Sequence, residues 1–271
     1  MFAARPVLAF ATILTILMVA GPVKSGQYED GEAAYRVGDY ATALMEWRPL
    51  AKHGDANAEN GLGVLYARGQ GVPQDYARAA RWFRRGAKQR LSAAQFNLGR
   101  LYFHGEGVTK DYTKADHLYR LAAKQGYARA EVGLGVLYAR GQGVPQDYAQ
   151  AARWFRLAAM QGNALAQGYL GLLYERGQGG PKDYLQAVHW FRLAALQGDT
   201  DGQTFLGILY VVGEGVPQDY AKAYTWLDLG AAGGNALATK YRDIVAAHMT
   251  RAQIAEAQQR AERFRPHPAA P

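Results

Sequence analysis

The stretch "GVLYARGQGVPQDYARAARWF" at residues 63–83 returns as "GVLYARGQGVPQDYAQAARWF" at 135–155, with Arg78 against Gln150 the one change in 21 letters. The copies lie 72 residues apart, and half that distance finds further copies. "LGVLY" at 62–66 recurs as "LGRLY" at 98–102, "LGVLY" at 134–138, "LGLLY" at 170–174 and "LGILY" at 206–210, always in steps of 36. A longer series keeps the same step: Asp39, Asp75, Asp111, Asp147, Asp183 and Asp219, each followed by tyrosine. Repetition at a fixed period of this length is the mark of an array in which each unit is one supersecondary element.

Each unit reads as two helices. In residues 127–162, Ala130, Leu134, Leu137 and Tyr138 share one face of a first helix. Gly141 stops it, and "GQGVPQ" is loop. Asp147 stands where an N-cap belongs, and the second helix carries Tyr148, Ala151, Trp154, Phe155 and Ala158 before Gly162 ends it. Glycine closes most second helices, at Gly54, Gly126, Gly162, Gly198 and Gly234, with Arg90 the exception. Gly63, Gly99, Gly135, Gly171 and Gly207 fall inside first helices. Glycine there costs about 1 kcal/mol against alanine, so close approach of a neighbouring helix is expected at each. A helix pair this small cannot bury its apolar face alone, but stacked copies can.

The unit A-x-x-x-L-G-x-L-Y-x-x-G-x-G-V-x-x-D-Y-x-x-A-x-x-W-F-x-x-A-A-x-x-G resembles the Sel-one-like repeat (SLR), a relative of the tetratricopeptide repeat with a longer inter-helix loop. The likeness covers roughly residues 28–265. Leu118 departs from the tryptophan position and Gly180 from the loop valine. The resemblance implies an all-α fold, a right-handed α/α superhelical solenoid of 36-residue helix-turn-helix repeats, with a concave face that binds protein or peptide. Members of the family include exported bacterial adaptors, periplasmic regulators and cysteine-rich proteins that bind β-lactam compounds. This chain has no cysteine, which weakens the last analogy.

The expected organisation is a signal segment at 1–25, a capping helix pair at 26–54, and five repeats over 55–234 (55–90, 91–126, 127–162, 163–198, 199–234). Capping helices follow at 235–265, opened by Thr250 and Gln253 as a capping box, and then a frayed tail at 266–271. The signal reading rests on Arg5 followed by the apolar run Val7 to Ala20 and the turn-forming "GPVKSG". Cleavage after Ala20 or after Ser25 fits, and an uncleaved anchor is the alternative. The run is short of the roughly 20 apolar residues of a spanning helix. Export to the periplasm, or secretion, is the expectation, with membrane contact only if the segment stays uncleaved.

The net charge of +8 suits an acidic partner, but no basic ribbon with interleaved aromatics points to nucleic acid. Lack of cysteine excludes a disulfide framework and a thiol nucleophile. The six histidines show no H-E-x-x-H and no pair at ligand spacing, and no nucleophile elbow or Walker loop occurs. The "GQG" and "GEG" loops recur in every unit, which makes them structural. Neither cofactor, metal nor catalytic residue is therefore expected. The leading reading is a non-enzymatic, monomeric interaction scaffold. A β-lactam hydrolase and an architectural protein on anionic lipid or glycan are the alternatives.

Recognition should lie where units differ. The resemblance places groove-lining residues at the third, sixth, tenth, thirteenth and fourteenth positions of each unit. The candidates are Asn60, Val64 and Arg68 in the first unit, and Phe96, Arg100, Phe103 and His104 in the second. Arg129, Val136 and Arg140 follow in the third, Leu172 and Arg176 in the fourth, and Ile208 in the fifth. Arg68, His104, Arg140 and Arg176 form a basic row that can grip carboxylates or simply favour the helix dipole at a C-terminus. Phe96, Arg100 and Phe103 are either a binding hot spot or a repacked patch of core.

Overall fold

The computed structural model describes residues 26–264; the expected signal segment and the end of the chain from residue 265 lie outside the described residues. Among the described residues there are fourteen α-helices and no strand. The first pair is α1 (Gln27–Arg36) and α2 (Tyr40–Lys52). The repeats supply α3 (Ala56–Arg68), α4 (Tyr76–Lys88), α5 (Ser92–His104), α6 (Tyr112–Ala123), α7 (Ala128–Arg140) and α8 (Tyr148–Met160). They continue with α9 (Ala164–Arg176), α10 (Tyr184–Leu196), α11 (Thr200–Val212) and α12 (Tyr220–Ala232), and α13 (Ala236–Ala246) and α14 (Arg251–Glu262) close the stack. From α1 to α13 each helix packs on the next along the chain, and α14 folds back onto α12. The core is a row of small clusters between successive pairs. This is the α/α solenoid expected from the period.

All six repeated aspartates cap second helices. Asp39, Asp75, Asp111, Asp147, Asp183 and Asp219 each accept from the backbone N–H three residues on. The same residue's own N–H closes the loop behind it, as Asp147 N–H donates to the Tyr138 carbonyl at 3.0 Å. The capping box of Thr250 and Gln253 is present on α14. First helices are capped by Asp55, Asn163, Asp199 and Asn235, whereas α5 and α7, preceded by Leu91 and Tyr127, have no side-chain cap.

The mid-helix glycines do mark close approach, but of a ring rather than a backbone. A Cβ on Gly171 would lie 2.7 Å from the Phe191 ring of the paired second helix. Phe83, Tyr119 and Phe155 sit on Gly63, Gly99 and Gly135 in the same way, and Leu227 takes that place in the last repeat. The loop glycines join units. Gly143 has φ +72°, and a Cβ there would meet the Tyr112 carbonyl carbon, one unit back, at 2.7 Å. That confirms the loops as structural.

Two polar seams bind the units further. Arg84, Arg120, Arg156 and Arg192 donate to the hydroxyls of Tyr102, Tyr138, Tyr174 and Tyr210 at 3.4, 2.6, 2.7 and 3.0 Å. Inside the stack, glutamines 89, 125, 161 and 197 donate to the buried Glu59, Gln95, Glu131 and Gln167 at 2.7–2.9 Å. Glu59 also pairs with Arg85 Nε at 2.7 Å.

Candidate functional site

Two positions of the first helix vary in a way that opens the stack. The seventh position reads Gly61, Asn97, Gly133, Tyr169 and Phe205 along the repeats. Tyr169 stacks on Phe155 at 4.8 Å between centroids, and Phe205 on Phe191 at 5.3 Å. In the third repeat Gly133 puts no ring there, and one side of Tyr119 is left to line an opening. The sixth position reads Asn60, Phe96, Val132, Gly168 and Thr204. Phe96 stacks on Tyr119 at 5.6 Å and leans on Tyr127 at 5.4 Å.

The result is a cleft of about 590 Å³. Its walls are Phe96, Arg100, Phe103 and His104 from α5, Tyr119 from α6, and Arg129, Val132, Gly133 and Val136 from α7. Asn163, Ala164 and Leu165 at the start of α9 and Asp199 before α11 complete it. Six of the residues expected from sequence therefore meet in one place: Phe96, Arg100, Phe103, His104, Arg129 and Val136. Tyr119 and Gly133 were not among the expected positions. The sequence signal for Gly133 was the loss of a ring at a position where the next two units carry one.

The electrostatics of the cleft are polarised. Arg100 Nε is buried and has no hydrogen-bond partner. Burial pushes the Tyr119 phenol up, and the nearby Arg100 charge opposes that. Arg129 is exposed at the start of α7, and His104 meets the Phe103 ring edge-on at 4.9 Å. Before α11, burial raises the Asp199 carboxyl; its Oδ1 is engaged with the Gly202 N–H at 2.7 Å. The cations thus lie on α5 and α7, and the one carboxylate of the lining serves as a helix cap.

A second, smaller cleft of about 220 Å³ lies further along, with Arg140, Leu172 and Arg176 in its lining and Val136 shared with the first. The remaining candidates stand apart from both. Arg68 donates to the Tyr35 hydroxyl at 2.9 Å, which ties it to α1. Asn60 accepts from Asn97 at 2.9 Å, bridging α3 and α5. Val64 and Ile208 are half-buried and pack against core clusters. Among the other groove positions, Ala67, Val132 and Thr204 are buried.

The four residues of the basic row each end a helix just before a left-handed glycine, at Gly69, Gly105, Gly141 and Gly177, where a cation suits the helix dipole. Arg176 also lies 3.7 Å from the Glu175 carboxylate. Among the described residues no group of three or more His, Asp or Glu is placed to hold a metal ion. No helix among them is long and apolar enough to cross a membrane.

Comparison with known proteins places this architecture. The chain is 30% identical to a Sel1 repeat protein from Oxalobacter formigenes, with a TM-score of 0.76 over 92% of this chain and 100% of that one. It is 33% identical to a protective antigen of uropathogenic Escherichia coli with an SLR fold, at a TM-score of 0.74 over 88% of this chain. The chain spans about half of that antigen's length, 53%. An immunity protein from Pseudomonas aeruginosa shares the fold at 18% identity and a TM-score of 0.52, over 74% of this chain and 81% of that one. No curated protein matches the chain. The Sel1 repeat profile matches five times, at residues 56–91, 92–127, 128–163, 164–199 and 200–235. With two thirds of its length in matched repeats, the chain belongs to the Sel1 repeat family, whose members are protein-interaction scaffolds.

Proposed function

We propose that this chain is an exported, non-enzymatic scaffold that holds a protein or peptide segment on the face lined by its first helices. The observation that carries the reading is the meeting of variable residues from successive repeats in one aromatic, cationic cleft. Such a surface combines apolar anchors with a guanidinium, the composition of interface hot spots. Net charge of +8 and the cations on α5 and α7 favour an acidic partner. Export rests on the charge and apolar run of the first 25 residues and makes an envelope partner the natural one. No observation favours the hydrolase alternative.

The test is affinity capture from an envelope extract of the native host, with the wild-type protein beside the Arg100→Glu/Phe103→Ala double variant. The expected result is one or two proteins that resist moderate salt and are lost with the double variant, while helicity and melting stay unchanged. Capture that ignores the double variant would sink the assignment of the cleft. A diffuse set that washes off at moderate salt would put the architectural reading in its place, because only exposed charge is screened so easily.

A further inference from the structure

We infer that the cleft between α5, α7 and α9 is also a binding site for a small aromatic carboxylate, a ligand distinct from the captured protein. Three observations lead there. The first is size: about 590 Å³ lies inside the roughly 300–1,000 Å³ of small-molecule sites. The second is the wall. Phe96 and Phe103 stand on α5 on either side of Arg100, and Tyr119 lines the floor beside Gly133. A flat apolar body can lie against rings arranged in this way.

The third is a donor left unanswered on a half-buried guanidinium. Arg100 Nε is buried among these rings with no acceptor. A buried donor without a partner is costly, and a charged one more so. A carboxylate in the cleft would supply the acceptor, and the guanidinium fork suits its two oxygens. A neutral acceptor would satisfy the N–H but not the charge. Asp199 fixes the ligand's direction. Its Oδ1 is committed to the α11 cap and its charge repels an anion, so the anionic end of the ligand belongs at Arg100.

Origin in the repeat supports a site particular to this place. Here Gly133 lacks the ring that Tyr169 and Phe205 supply at equivalent positions, while Phe96 is the one aromatic residue at the sixth position of the five repeats. Both changes fall at the joint between the second and third units, where Gly133 lies against the Tyr119 ring and Phe96 leans on Tyr127.

The experiment is calorimetric titration of the protein with biphenyl-4-carboxylate, and in parallel with the isosteric biphenyl-4-carboxamide. Saturable binding of the carboxylate with a Kd of roughly 0.1–1 mM is expected. The carboxamide should bind about tenfold more weakly or worse. Arg100→Gln should remove that difference, Arg100→Lys should keep part of it, and Phe103→Ala should weaken both ligands together. Lys88→Gln, on the exposed face of α4, should change neither. Equal affinity for carboxylate and carboxamide would overturn the inference, as would no saturation up to a few millimolar or an Arg100→Gln variant with wild-type discrimination. Should Arg100→Gln lose helicity, the Arg100→Lys variant and the carboxamide comparison decide alone. Only the protein and the probe are present, so failure to capture a protein partner leaves this result standing, and the reverse holds too.

Discussion

Arg90 is the residue at which the repeat breaks its own rule. Second helices elsewhere end on a glycine with positive φ, but Arg90 takes the same left-handed turn at φ +64°. The turn is held by its neighbours: Arg90 N–H donates to the Ala87 carbonyl at 3.0 Å and Leu91 N–H to Gly86 at 3.2 Å. A side chain in this conformation is strained by about 1–2 kcal/mol. Glycine would relieve it, less its own larger unfolded-state entropy. Arg90→Gly should therefore stabilise the protein by about 0.5–1 kcal/mol, read as a higher urea midpoint at unchanged slope. Glu131 is the second such residue. Burial raises its carboxyl above the ordinary glutamate value of 4.5. The folded state then keeps a proton that the unfolded chain releases, so stability falls as pH rises through the window above that value. Glutamine already makes the same bond at positions 95 and 167. Glu131→Gln should raise stability at pH 7 and flatten its change between pH 7 and pH 5, as followed by thermal melting. Arg90 was visible in the sequence as the missing glycine. The glutamate was not singled out, although its period of 36 was there to be counted, because a polar letter inside an apolar helix does not announce a partner 30 residues away.

At the scale of the element, second helices were the more legible, because their start is a single chemical device. An aspartate before tyrosine, six times in step, can hardly be anything but a cap. Asp147→Ala should cost about 1 kcal/mol and fray α8 alone, visible as faster amide exchange in its first turn. First helices were legible in their apolar face but not in what sits on their glycines, since the covering ring lies about 20 residues on. Partners across elements decide the cost of losing a charge as well. Arg85 is half-exposed, yet it answers the buried Glu59 and also donates to the Ala51 carbonyl at 2.9 Å. Arg85→Ala leaves that carboxylate with Gln89 alone and should destabilise by about 1.5–3 kcal/mol in chemical unfolding. Arg81, exposed on the same helix with no role in the seam, should be replaceable by alanine within about 0.5 kcal/mol.

The whole molecule is a row of neighbours, and its ends behave differently from its middle. The helix α14 covers α12, burying Ala257 and Ala261, and Phe264 meets Trp226 at 5.0 Å between centroids. In a linear array, stability is a sum of units and the joints between them. A chain ending at Met249 should therefore lose protection from exchange in α11 to α13 while α3 to α8 keep theirs, as mass-resolved hydrogen exchange would show. The architecture was readable at this scale from the period, the apolar faces and caps within each unit, and the resemblance they carry. The site was half readable: variable letters pointed to α5 and α7, but the cleft depends on how far apart α5 and α9 stand, and no single unit encodes that distance. The joints also govern how such a molecule changes length. Gly143 reaches Tyr112, Arg120 reaches Tyr138 and Gln161 reaches Glu131, each by a fixed count of residues. One extra residue between Glu131 and Tyr138 would throw all three out of step, whereas 36 at once would keep every spacing. Size in this protein is therefore quantised, and the nearly identical texts at 63 and 135 are spare parts of one gauge: exchanging them, or inserting a third, should lengthen or preserve the rod without any new side chain being invented.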